Sequence, residues 1–226
     1  MIQRIALLIL FATLPLLAHG VADRDAAFIQ SIKGVAIAPF LYLGAKHMVT
    51  GYDHLLFLVG VIFFLYRMRD VAIYVTCFAV GHSITLLAGV LGGLHFNSFL
   101  VDALIGLSVV YKAFDNLDGF QTMLGFQPNT KAAVLGFGLI HGFGLATKLQ
   151  ELSLSREGLV GNMVSFNVGV EIGQILALSV ILLFMLLWRS RPGFIRHAVG
   201  ANVLLMIAGF VLMGYQLSGY FLRRVA

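Results

Sequence analysis

The sequence predicts an all-α integral membrane protein, a compact bundle of about six transmembrane helices behind an N-terminal signal peptide. Three observations carry this expectation. Of 226 residues, 60% are hydrophobic and 11% charged, with a mean hydropathy of +0.96, whereas soluble domains carry about a quarter charged residues. The apolar residues fall in runs close to the roughly 20 residues that a membrane span needs. The polar breaks between these runs are short, so the chain has no length left for a separate catalytic domain.

In chain order, Arg4 supplies a positive start, Ile5 to Leu17 an apolar stretch interrupted by Pro15, and Ala18-x-Gly20 or Gly20-x-Ala22 a small-x-small cleavage site. Residues 1–22 therefore read as a signal peptide, and 23–226 as a single transmembrane helical domain. Residues 28–43, with Lys33 and Pro39, read as an interfacial or partly inserted helix, because Pro39 would remove a backbone donor in mid-span. Six spans follow at about 44–66, 71–93, 98–114, 131–149, 158–188 and 195–221. With the mature N-terminus external, these crossings put Arg67, Arg69, Lys131, Arg189, Arg191 and Arg196 on the cytoplasmic side of a bacterial-type inner membrane. Arg223 and Arg224, at an external C-terminus, oppose that bias.

The formal charge of +5 is spread over the ends of apolar runs, which suits lipid headgroups and gives no nucleic-acid patch. A single cysteine, Cys77, excludes a disulfide framework and a thiolate zinc site. Small residues recur at four-residue spacing in Gly161, Ser165, Gly169 and Gly173, in Gly138, Gly142 and Ala146, and in Gly81, Thr85 and Gly89. In lipid such stripes let helix backbones approach closely.

Against this background the ionisable residues within the spans are costly, which marks them as functional candidates. The densest group is His47, Asp53 and His54, in the run H-M-V-T-G-Y-D-H. On a straight helix His47 and His54 would stand about 10 Å apart along the axis. Either Gly51 breaks the helix and folds His47 back over Asp53 and His54, or the two histidines are successive stations on a path. His82, beside Ser83, and His141, between glycines, lie mid-span; Asn167, Glu171 and Gln174 form a polar stripe at i, i+4 and i+7; Asp102 falls in another span. Imidazole with carboxylate suits nickel, cobalt, zinc or ferrous iron. One shared site would bring Asp53, His54, His82, His141 and Glu171 together in the bundle interior.

Several blocks resemble the HupE/UreJ family of hydrogenase and urease accessory membrane proteins. These are His47 to His54 continuing as Leu-Leu-Phe-Leu, Gly81-His82-Ser-Ile-Thr-Leu, Asp102-Ala-Leu-Ile-Gly-Leu-Ser108, Gly138-Leu-Ile-His141-Gly-Phe-Gly, and Phe166-Asn-Val-Gly-Val-Glu171-Ile-Gly-Gln174. The resemblance implies a cleaved signal, a six-span bundle and a role as a nickel permease or nickel-supply accessory in metalloenzyme maturation, with maturation factors as partners and the first-span His and Asp residues important for uptake. It departs at one place. The family's founding members carry F-H-G-x-A-H-G-x-E in a later span, and only His141-Gly142 remains of that here.

Two functions follow. The first is a carrier for a divalent transition metal ion, nickel foremost and cobalt or zinc next, with His47, Asp53, His54, His82, His141 and Glu171 as ligands and Ser83, Asp102, Asn167 and Gln174 in support. The second is an intramembrane zinc hydrolase built on the same cluster, with Ser83 or Glu171 as acid or base.

Overall fold

The computed structural model describes residues 28–151 and 155–225, so the signal-peptide expectation at 1–22 lies outside the described residues. Among them the regular structure is helical. The principal elements are α1 (Ile37–Thr50), α2 (Tyr52–Ile62), α3 (Met68–Gly92), α4 (Ser98–Asn116), α5 (Thr130–Glu151), α6 (Leu159–Arg189) and α7 (Phe194–Val225), with a wide turn at Phe120–Leu124 before α5. Four of these, α3, α5, α6 and α7, are long and apolar enough to cross a membrane.

Two expected spans look different in the structure. The stretch 98–114 forms most of α4, which carries three charged residues, Asp102, Lys112 and Asp115, along its 19 residues. The stretch expected at 44–66 begins earlier and is split. Its first helix starts at Ile37 and places Pro39 in the first turn, where a missing backbone donor breaks no helical hydrogen bond. That helix ends at Gly51, whose ψ of 96° is extended, and a new helix starts at Tyr52.

Three helix pairs dominate the packing: α1 with α6, α3 with α5, and α4 with α7. Glycines form each seam. A Cβ on Gly44 would run into the backbone of Phe166, and one on Gly169 into that of Leu41. Gly138 sits against the backbone of Phe78, and Gly142 against that of His82. Gly106 lies against Met213, and Gly209 against Val110. Thr85 adds a hydrogen bond from its hydroxyl to the Leu139 carbonyl across the α3–α5 seam, at 2.7 Å.

The same contacts fix helix directions. Along α1 and α6 the contacts rise together, from Gly34 with Gly158 through Leu41 with Gly169 to Ala45 with Gly173, so the two run parallel. The α2 end continues this course, because the Arg189 guanidinium near the end of α6 donates to the carbonyls of Ile62, Phe63 and Leu65. Helices α1 and α2 thus accompany α6 along its 31 residues, about 46 Å, as one course broken at Gly51. Helix α2 is short but central. It touches α1, α3, α4, α6 and α7, and it buries Asp53, His54, Phe57, Leu58, Gly60, Val61 and Ile62.

Candidate metal centre

The break at Gly51 creates the site. Because α1 stops there and α2 begins, the His47 and His54 rings stand with centroids 5.0 Å apart, far closer than two turns of straight helix permit. The chain takes the folded-back arrangement. Gly51 also has no space for a side chain: a Cβ there would lie 2.8 Å from His54 Nδ1 and 3.2 Å from Asp53 Oδ1.

Asp53 and His54 open α2 and point into the bundle, 1% and 2% exposed. His82 from α3 and His141 from α5 meet them there, each 1% exposed. Their delivery follows from the α3–α5 seam, where Gly142 lets α5 lie directly on the backbone of His82. His54 is the hub of the cluster, with ring centroids 5.0 Å from His141 and 6.0 Å from His82. One carboxylate oxygen of Asp53 and one nitrogen each of His54 and His141 lie within 4.8 Å of one another. With metal–nitrogen bonds of about 2.0–2.1 Å, two imidazoles on one ion place their centroids about 5 Å apart. The residues fit a transition-metal ion.

Hydrogen bonds orient two of the rings. His54 Nδ1 lies 3.0 Å from Asp53 Oδ1; the carboxylate can only accept, so Nδ1 carries the proton and Nε2 keeps the lone pair. The Ser108 hydroxyl donates to the Ile105 carbonyl at 2.6 Å and stands 3.2 Å from His141 Nε2. That hydroxyl therefore accepts from Nε2–H, leaving Nδ1 as the basic nitrogen of His141. Partners on the far side of an imidazole fix the tautomer of metal-binding histidines in this way. His54 Nε2, His47 Nε2 and both His82 nitrogens are buried with no hydrogen-bond partner among the described residues. Such groups are costly to bury unless something binds them. Phe57, Phe78 and Phe166 pack against the histidine rings and exclude water.

The remaining sequence candidates fall elsewhere. Asn167 donates to the Ser83 hydroxyl at 2.9 Å, tying α6 to α3. Gln174 is buried, and its amide nitrogen has no hydrogen-bond partner among the described residues. Glu171 lies on an exposed face of α6, outside the histidine group. Each four-residue step turns 40° around a helix, which carries Glu171 past the edge of the stripe. Asp102 faces Lys148 of α5, whose ammonium donates to both carboxylate oxygens at 3.0 and 2.8 Å. Sequence reasoning missed Lys148 and the role of Ser108. The readable signal for the first was a lysine inside an apolar run, with an aspartate in a neighbouring run to neutralise it.

The chain belongs to the HupE / UreJ protein family, whose sequence model matches residues 23–224. No curated protein and no solved structure matches it.

Proposed function

We propose that this HupE / UreJ protein is a membrane carrier for a divalent transition metal ion, nickel foremost and cobalt or zinc next, that supplies metalloenzyme maturation. One observation carries the reading: Asp53, His54 and His141 converge, buried, where a central helix is broken. Broken helices at mid-membrane are how many carriers make a polar site in lipid, since irregular backbone is tolerated only where it lines a cavity or a site. Asp53, His54 and His141 hold the ion, and His47 and His82 flank it as donors on either side.

Taking α1 and α2 as one pass gives six crossings in alternating directions. The parallel α1–α6 and α3–α5 seams and the antiparallel α4–α7 seam support this. Arg67, Arg69, Lys131, Arg189, Arg191 and Arg196 then gather at the end where α2 finishes, which makes that end cytoplasmic in an inner membrane and the α1 start external. The chain carries no phosphate-binding glycine loop of the G-x-x-x-x-G-K-[ST] type, so movement is driven by the ion's own gradient, by protons or by the membrane potential. The hydrolase reading has less behind it. Ser83 is engaged by Asn167 and Glu171 is exposed, so neither stands at the cluster as its acid or base.

The test is metal analysis of purified protein together with nickel, cobalt and zinc uptake into vesicles. Wild type should hold about one ion per chain and accumulate it, while Asp53→Asn and His54→Ala should do neither. Wild-type vesicles that accumulate no more than empty ones would reject the carrier.

A further inference from the structure

Two lysine–aspartate pairs are buried in the bundle, and they are built differently. Lys112 and Asp115 are one turn apart on α4 and are woven into a network. Lys112 donates to Asp115 at 2.5 Å and to Asn116 at 2.7 Å; Gln127 donates to Asp115; Asn116 donates to the Gly60 carbonyl and to Asn202. Lys112, Asp115 and Asn116 are each anchored more than once, as a structural network requires. Lys148 and Asp102 come from different helices, α5 and α4, and their hydrogen bonds among the described residues are only to each other. The carboxylate, 6% exposed, thus has both oxygens facing one ammonium at the end of a flexible stem. That is the contact set a chelated cation would make.

The pair also lies on the same helix seam as the Ser108–His141 contact of the histidine cluster. On the antiparallel α4–α5 seam, Asp102 is six residues before Ser108 and Lys148 seven after His141. The ion pair is therefore about 10 Å along the seam from the Ser108–His141 contact. It is displaced towards the end where α4 begins and α5 stops. An open cavity of about 430 Å³, lined by Phe96, Phe99, Tyr220 and the oppositely charged Glu151 and Arg223, opens at that same end.

The geometry points to Asp102 as a second cation-binding carboxylate, kept closed by the tethered ammonium of Lys148, which an incoming divalent ion displaces on its way to the histidines; this rests on the carrier reading above. The exchange is cation for cation at the buried carboxylate, and the displaced ammonium belongs to the more exposed of the two side chains, 15% against 6%, so its stem can carry it towards water rather than leave it buried and unpaired. Lysine suits this role better than arginine, because its ammonium is a point charge on a flexible stem, whereas a guanidinium grips a carboxylate with a rigid two-pronged fork.

Metal binding by the purified full chain tests it, with nickel, cobalt and zinc added singly. Lys148→Met removes the resident charge and keeps the stem, so it should bind two ions per chain where wild type binds one. The added ion should disappear in the double variant Lys148→Met with Asp102→Asn. One ion per chain at unchanged affinity in a folded Lys148→Met protein, or an extra ion that survives Asp102→Asn, overturns the proposal. Should Lys148→Met not fold, Lys148→Arg keeps the charge balance. It should slow vesicle uptake at least tenfold while ion affinity at the histidines stays within twofold, and uptake at the wild-type rate overturns the proposal. Wild type that binds no ion removes the carrier reading and this one together; wild type that binds and transports while the Lys148 variants match it removes this one alone.

Discussion

Asp53 and His54 are adjacent in sequence and yet act on each other as a pair, because the carboxylate at the head of α2 turns back to the Nδ1 of the next ring. The pair divides the work: the carboxylate supplies charge and fixes the tautomer, and the imidazole presents a basic nitrogen to the cluster. Asp53→Asn should therefore remove ion binding while the folded yield stays near wild type, since the amide neither charges the interior nor changes its volume. Equal ion content in the two purified proteins would contradict that division. Ser108→Ala is a finer probe. Losing the acceptor for His141 Nε2–H should weaken ion affinity by about 10–100-fold, the usual cost of a partner behind a metal ligand, with the thermal midpoint little changed. Glu171→Gln should leave affinity within twofold, as its exposed position implies. The histidines and Asp53 were legible in the sequence because ionisable residues in apolar runs have few benign explanations. Ser108 was not, because a serine in a helix commonly bonds back to its own backbone, as this one also does to Ile105.

At the scale of the helix, glycine does two separate jobs that a sequence stripe cannot distinguish. At Gly51 it leaves room for the His54 ring and the Asp53 carboxylate beside the break. Its φ of −74° is open to any residue, so Gly51→Ala should fold and yet push on both groups. Ion affinity should fall at least tenfold by titration, and unchanged affinity would show that the break tolerates a Cβ. At Gly169 the glycine brings α6 onto the backbone of Leu41, whereas Gly136 has nothing near it. Gly169→Ala should destabilise the folded protein by about 1–3 kcal/mol, as overpacking does. Gly136→Ala, an unobstructed helical site, should be neutral or up to about 1 kcal/mol stabilising. Matching thermal shifts for the two would deny the seam its role. The apolar runs coincide with α3, α5, α6 and α7, the helices long and apolar enough to cross a membrane, because length and hydropathy are local properties of the sequence. They coincide less well with α1 and α2. Pro39 argued for an interruption it does not cause, since it sits in the first turn of α1, while the interruption lies at Gly51, a single extended residue and one of the two arrangements that the spacing of His47 and His54 left open.

For the whole molecule, the arrangement around α2 decides what the fold can do. A helix of 11 residues lies among the others with Asp53 and His54 at one end, and its other end is held by Asn116 donating to Gly60 and by Arg189 donating to Ile62, Phe63 and Leu65. That centrality came from packing between distant segments, which no local pattern in the sequence encodes. The anchors are cationic or amide donors on the last carbonyls of α2, where positive charge is favoured by the helix dipole. The bundle thereby fixes the cluster deep within apolar surroundings, and the proposed carrier has two modes of ion movement to compare, one that carries charge and one that does not. If the ion crosses alone, an inside-negative potential contributes about 2.3 kcal/mol per charge for each 100 mV, so about 4.6 kcal/mol for a divalent ion. At about 1.4 kcal/mol per tenfold, that corresponds to roughly 10³-fold accumulation at equilibrium. Vesicles carrying wild type under a potassium-valinomycin potential of 100 mV should approach that ratio and lose it when the potential is collapsed. Protons returning through the same imidazoles would cancel the charge, because ligation and protonation compete for the same nitrogen lone pairs. Accumulation that ignores the potential but follows an imposed pH gradient would therefore reject movement of the ion alone and assign exchange against protons to the histidine cluster.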